Sequence, residues 1–254
     1  MTSAGTPPKG AVVQRLSLDA PLLAACTGRG IRIAVIDSGV APGHPHIGAL
    51  SPGISLIGDD AHDTADLLGH GTAVAAAIHE KAPDAQLVPV RVLGRELATS
   101  ARLLARAIAW AAAEGVHVIN LSLGTTNEAH AALFAAALDD AQQRGVVVVS
   151  AARQDETRWY PGSLHATLGV VADATVPRDA LDIDAATDAV THKLLVRSSP
   201  YPRPIEGLPA HRNLTGVSFA VANATGIIAR AREAGAPSDV AGLLQWLAQA
   251  GAAR

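Results

Sequence analysis

The stretch IRIAVIDSGV, residues 31–40, decides the fold. Its first seven residues are mostly apolar and β-branched, with no polar alternation. That is the pattern of a strand buried on both faces. Asp-Ser-Gly then ends it in a turn. A strand covered on both faces needs helices above and below, and the chain on either side supplies them. AQLVPVRVL (85–93), VHVINLSLG (116–124), GVVVVSAA (145–152) and HATLGVVADA (165–174) read as further strands, and GISLIG (53–58) as a weaker one. Between them HGTAVAAAIHE (70–80), SARLLARAIAWAAAEG (100–115) and NEAHAALFAAALDDAQQRG (127–145) read as helices, the last two stopped by Gly115 and Gly145. This alternation predicts an α/β fold of three layers, a mostly parallel sheet flanked by helices on both faces. Ligands in such sheets bind at the carboxyl ends of the strands, where strand order reverses.

Farther out the pattern weakens. Residues 20–27 suggest a short helix, and residues 1–15 a loose polar arm. Residues 175–212 carry many charges and prolines and read as irregular, with one strand at KLLVR (193–197). From Ser218, SFAVANATGIIARAREAG reads as a buried helix. PSDVAGLLQWLAQAG (237–251) closes the chain as a helix capped by Ser238. No repeat and no second domain is visible, so residues 1–254 are expected to form one domain.

The 254 residues are 49% hydrophobic and 17% charged, a globular composition with ample core. A net charge of -3 argues against a nucleic-acid or membrane-surface partner. The single cysteine, Cys26, excludes an intramolecular disulfide and reads as a small core residue. The N-terminal segment has no apolar signal core, and no segment reaches the roughly 18 apolar residues of a membrane span. The expected location is the cytoplasm.

Three short segments carry chemistry. VIDSGV places Asp37 at the carboxyl end of a buried strand; LGHGTAVA places His70 between glycines at a helix start; TGVSFAVANATG places Ser218 at another helix start. Each alone is weak, since a serine before a helix is more often a cap. Together they fit one mechanism. A hydroxyl becomes a nucleophile when a base takes its proton. Histidine titrates near neutrality and can be that base. A carboxylate behind the ring fixes its tautomer and stabilises the imidazolium. A helix N-terminus adds a free N–H for an oxyanion. The order Asp, His, Ser is that of subtilisin.

From these residues the chain resembles the subtilases, the subtilisin-like serine proteases. The resemblance runs through APLLAACTGRGIRIAVIDSGVAPGHPHI, HGTAVA, APDAQLVPVRVLG, IAWAAAEGVHVINLSLG, AAALDDAQQRGVVVVSAA, YPGSLHATLGVVA and TGVSFAVANATG, in the family's order. It covers about residues 28–174 and 213–232. It implies a subtilisin-like fold and endopeptidase hydrolysis through an acyl-enzyme on Ser218, with a peptide or protein as substrate and no cofactor. It also implies two substrate walls, one at Arg95–Thr99 with Leu97, Ala98 and Thr99, the other at Ser122, Leu123 and Gly124. Ala152 and Arg153 border the primary specificity pocket. The family's longer calcium-binding loop is replaced by HEKAPDA (79–85), so no metal is expected there. Asp59, Asp60, Asp63 and Asp66 read as a solvated acidic loop.

The departures bear on activity. Gln154 stands where the family has the asparagine that completes the oxyanion hole; losing such a donor costs about 10²–10³ in rate. Arg153 replaces a glycine and either fills the pocket, selects an acidic residue or points to solvent. Val217, Ala222 and Ala73 replace a threonine, a proline and a histidine of the family pattern. No inhibitory prosegment is visible, which predicts folding alone or with a partner protein. Two readings stand: a processing endopeptidase, and a pseudoprotease that keeps the fold and a peptide groove. A nucleotide-binding protein is disfavoured, since no phosphate-binding glycine loop follows IRIAVID.

Overall fold

The computed structural model describes residues 14–96, 98–209 and 212–252. The strands are β1 (Gln14–Ser17), β2 (Arg32–Asp37), β3 (Ile54–Ser55), β4 (Gln86–Arg91), β5 (Val118–Leu121), β6 (Val147–Ala151), β7 (Arg153–Gln154), β8 (Thr157–Arg158), β9 (Leu168–Ala172), β10 (Ala180–Ile183) and β11 (Val196–Ser198). The helices are α1 (His70–Lys81), α2 (Ala101–Ala113), α3 (Ala131–Gln143), α4 (Val217–Glu233) and α5 (Val240–Ala252), with a 3₁₀ turn at Glu128–His130 before α3.

Nine strands form one sheet in the order β1-β10-β11-β9-β6-β5-β2-β4-β3. Every pairing from β11 to β3 is parallel; β10 pairs antiparallel with both β1 and β11. The expected three-layer fold is present. In β2 the period-2 geometry of a strand divides the side chains between two cores. Ile33 and Val35 join Val74 and Ile78 of α1 and Ile227 of α4, while Ala34 and Ile36 join Leu104 and Ile108 of α2 and Phe134 of α3. Helices α1 and α4 approach closely because Gly226 has no side chain: a Cβ there lies 2.5 Å from the Lys81 Cβ. The chain runs from β2 through α1 to β4 on one side, then through α2 to β5 on the other. β2 is therefore a point where strand order reverses, and Asp37 stands at its carboxyl end.

Six expectations need correction. Residues 20–27 form turns and no helix: one i→i+4 bond, Ala24 to Ala20, starts a turn that stops before the left-handed Gly28. Eight residues beginning Ala-Pro cannot offset the cost of helix nucleation. Cys26 is half-buried rather than a core residue. The cap of α5 is Asp239, whose carboxylate accepts from Gly242 N at 2.7 Å, and not Ser238. Residues 175–212 contain β10, all four of whose residues are buried. Its Asp182 hides the strand pattern in the sequence, yet Arg15 of β1 meets it across the register with two bonds of 2.6 and 2.7 Å. The strand expected at KLLVR begins later, at Val196. Of the expected arm, Gln14 and Arg15 belong to β1, and residues 1–13 lie outside the described residues.

Candidate active site

Asp37 is fully buried at the end of β2. Its Oδ1 accepts the Ser38 N–H at 2.8 Å and lies 2.7 Å from His70 Nδ1. A carboxylate only accepts, so this contact places the imidazole proton on Nδ1 and leaves Nε2 as the free base. His70 opens α1, where Gly69 takes the left-handed φ of 83° that turns the chain into the helix. Gly71 lets this turn seat against the end of β2: a Cβ there would lie 2.1 Å from Gly39 O and 3.2 Å from Asp37 Cβ. The imidazole is one-third exposed. Its proton affinity is raised, first by the hydrogen bond to Asp37, against burial, and then by the charges of Asp37 and Asp66.

Ser218 is the second residue of α4, after Gly216 in extended backbone. At this position its N–H precedes the first intrahelical bond and is free for a ligand. Phe219 stacks its ring 5.9 Å from that of His70, centroid to centroid, which brings the start of α4 beside the imidazole. In this conformation the Ser218 hydroxyl lies 3.4 Å from the Ser122 carbonyl, and no bond joins it to His70. Attack on a substrate would require the side chain to turn from Ser122 O toward His70. Ser122 is itself fixed: Asn120 Nδ2 donates to its Oγ at 2.9 Å, and Thr225 of α4 donates to Asn120 Oδ1 at 3.1 Å. This buried chain ties the strand before Ser122 to the helix that carries Ser218.

Each of the two expected substrate walls contributes one residue to a common cavity. Thr99 and Gly124 line one cavity of about 460 Å³ together with Ala101, Leu104, His130 and Leu133. Gly124 also allows a close approach to Tyr160, whose O would lie 2.6 Å from a Cβ there. Leu123 is half-buried and packs on the core of α2 and α3; Ala98 is exposed, and Leu97 lies outside the described residues. Ala152 is fully buried and hydrogen-bonded to Val170 O and by Trp159 N.

Arg153 and Gln154 form one arm of a small hairpin with β8, turning at Asp155. The Arg153 side chain does not lie out in solvent. Its Nε donates to Asp188 at 2.9 Å and its Nη1 to Asp155 O at 2.7 Å. The Asp188 carboxyl is held low: burial opposes this, but the N–H of Thr191 and the charge of Arg153 outweigh it. Gln154 is exposed, and its amide makes no side-chain hydrogen bond. Behind this wall Lys193 is buried. Its ammonium donates to the carbonyls of Leu164 at 2.7 Å, Gly162 at 3.2 Å and Thr167, and burial pulls its pKa down to about 7.

Sequence reasoning missed Asp66, which is no solvated loop residue. Its half-buried carboxylate accepts from Ser38 Oγ, Leu68 N, Gly69 N, Thr72 N and Thr72 Oγ1. The signal available was Asp66-Leu-Leu-Gly69, an Asp able to accept from N–H groups two and three residues on.

Comparison with known proteins agrees with this fold. M-protease of Shouchella clausii is 31% identical over 220 residues, 82% of this chain and 55% of that protein. Subtilisin Savinase of Lederbergia lenta is 37% identical over 134 residues, 49% of this chain and 48% of that protein. The chain thus spans about half the length of these relatives. Among solved structures, Sphericase superposes with a TM-score of 0.69 at 25% identity, covering 86% of this chain and 82% of that one. The S41 Psychrophilic Protease superposes with 0.67 at 27%, covering 84% and 80%. The model of the subtilase family matches residues 28–251. With a buried Asp37 bonded to His70 and Ser218 at the head of the neighbouring helix, this chain belongs to the subtilase family of serine peptidases.

Proposed function

We propose that the chain is a serine endopeptidase that cleaves a peptide or protein precursor. The observation that carries this reading is the 2.7 Å Asp37–His70 bond, which leaves Nε2 as the free base of an imidazole that lies beside Phe219, the residue after Ser218 on α4. The Ser218 hydroxyl gives its proton to Nε2 as its oxygen bonds the scissile carbonyl carbon. The Ser218 N–H and Gln154 receive the oxyanion. The imidazolium passes its proton to the leaving amine, and water repeats the sequence to release the acyl group. The substrate lies extended between the Thr99 and Gly124 walls. No helix among the described residues is long and apolar enough to cross a membrane. The proposed location remains the cytoplasm, which cell fractionation tests.

The experiment is labelling with a fluorophosphonate, followed by digestion of a peptide library read by mass spectrometry. Modification at Ser218, and cleavage lost by about 10⁵–10⁶ in Ser218→Ala, support the enzyme. A second reading, a peptide-binding pseudoprotease, is favoured by two observations: Ser218 bonds to Ser122 O rather than His70, and Gln154 has no bond to hold it. Absence of labelling, with retained peptide binding, selects that reading.

A further inference from the structure

Asp66 stands four residues ahead of His70, outside the triad. Both its oxygens are taken by groups that flank the catalytic pair. Oδ1 accepts from Ser38 Oγ, Leu68 N and Gly69 N, each at 2.9 Å; Oδ2 accepts from Thr72 N at 2.8 Å and Thr72 Oγ1 at 2.6 Å. Ser38 Oγ in turn accepts from Gly71 N at 2.9 Å, and Thr72 Oγ1 accepts from Ala41 N at 3.0 Å. Ser38 follows Asp37 directly, and Gly69 and Gly71 enclose His70. One carboxylate therefore grips both chain segments whose separation sets the Asp37–His70 distance.

We propose that Asp66 is a positioning residue for the peptidase reaction: a second carboxylate that holds Asp37 and His70 in register and adds its negative charge to the field at the imidazole. This rests on the endopeptidase reading above. The charged groups acting on His70 are Asp37, from the end of β2, and Asp66, from the loop before α1; α4 presents the uncharged Ser218 and Phe219. Asp66 remains ionised wherever histidine titrates. Burial opposes this, but the Thr72 hydroxyl, the N–H groups of Leu68 and Thr72, and the Ser38 hydroxyl lower its pKa below the usual carboxylate value. Its charge stabilises the imidazolium that forms as Ser218 attacks. A purely structural cap would do the first task and not the second.

The test is the titration of His70, followed by NMR on histidine-labelled protein, alongside the pH profile of kcat/KM. His70 acts as base only when neutral, so a raised pKa sets the acid limb. In Asp66→Asn the negative charge is gone. The His70 titration and the acid limb should both move to lower pH, on the order of half a unit, while kcat falls several-fold. Ser38→Ala removes one grip and keeps the charge, so kcat should fall with the titration in place. A folded Asp66→Asn protein in which His70 titrates as in the wild type overturns the proposal. Should Asp66→Asn not fold, Ser38→Ala decides: wild-type kcat overturns the positioning role. The NMR titration needs no turnover. A wild-type protein inert to fluorophosphonate therefore sinks the endopeptidase reading separately.

Discussion

The two sides of the cleft are built differently. On the Asp37 side every key contact is made by residues within a few positions of the catalytic pair. Ser38 is next to Asp37, and Asp66, Gly69, Gly71 and Thr72 surround His70. On the hairpin side the contacts span similar distances along the chain but are made by charged side chains. Arg153 meets Asp188, Arg158 meets Val190 O, and Lys193 meets the carbonyls of residues 162–167. The first side handles a proton and tolerates little error in distance. The second side, proposed to frame the substrate, is held by charged side chains. Both sides join separate segments of the chain, 28 and 33 positions apart at Ser38–Asp66 and Ser38–Gly71, 35 and 32 at Arg153–Asp188 and Arg158–Val190. They differ in that the first gathers its contacts around Asp37 and His70, and the second relies on charged side chains.

Three substitutions sharpen this contrast. Gly71→Ala should do the most damage, since its Cβ would collide with Gly39 O at 2.1 Å and separate the two loops. We expect a loss of about 2–4 kcal/mol in urea unfolding and roughly 10²-fold in kcat. A variant as active as the wild type would show that the Asp37 side is more pliant than its packing implies. Arg153→Ala comes next. It leaves the Asp188 carboxylate without its counter-charge in a mostly buried setting. After allowing for partial exposure, about 1–2 kcal/mol should be lost. In a peptide-library digest the preference should shift toward basic residues. An unchanged preference would place Arg153 away from the substrate.

Lys193→Met should have the smallest effect at neutral pH and a clear one in its pH dependence. The folded-state pKa of about 7 lies below the ordinary value of 10.5. Below pH 7 both states hold the proton, and the buried charge is a constant cost. Between about 7 and 10.5 the unfolded chain binds more protons than the folded one, so stability rises with pH. Thermal unfolding across that window should show the rise in the wild type and a flatter profile in Lys193→Met. Equal slopes would mean that the ammonium keeps its proton through its three carbonyl bonds.

The oxyanion position tests the comparison from the hairpin side. Gln154 is legible in the sequence as the residue in the asparagine's place. Its exposure on β7 depends on the turn at Asp155 and on the ion pair of its neighbour. The same division holds for Asp66. Sequence marks it as one of four scattered aspartates, and only the fold brings Ser38 across to it.

By itself the sequence determined the layered fold, because uninterrupted apolar strands such as IRIAVID can be stable only between two sheets of helix. It also singled out Asp37, His70 and Ser218 as candidates, because each stands at a strand end or helix start; the structure joins the first two. The tertiary structure alone decided that β10 is a strand, that Asp239 and not Ser238 caps α5, and that Arg153 is neutralised. It likewise decided that Asp66 joins the catalytic neighbourhood. Apart from the cap, whose partner Gly242 is three residues on, these outcomes turn on which polar partner waits at the end of a long excursion of the chain. A buried charge is stable where that partner is present and costly where it is absent, and local periodicity carries no record of it.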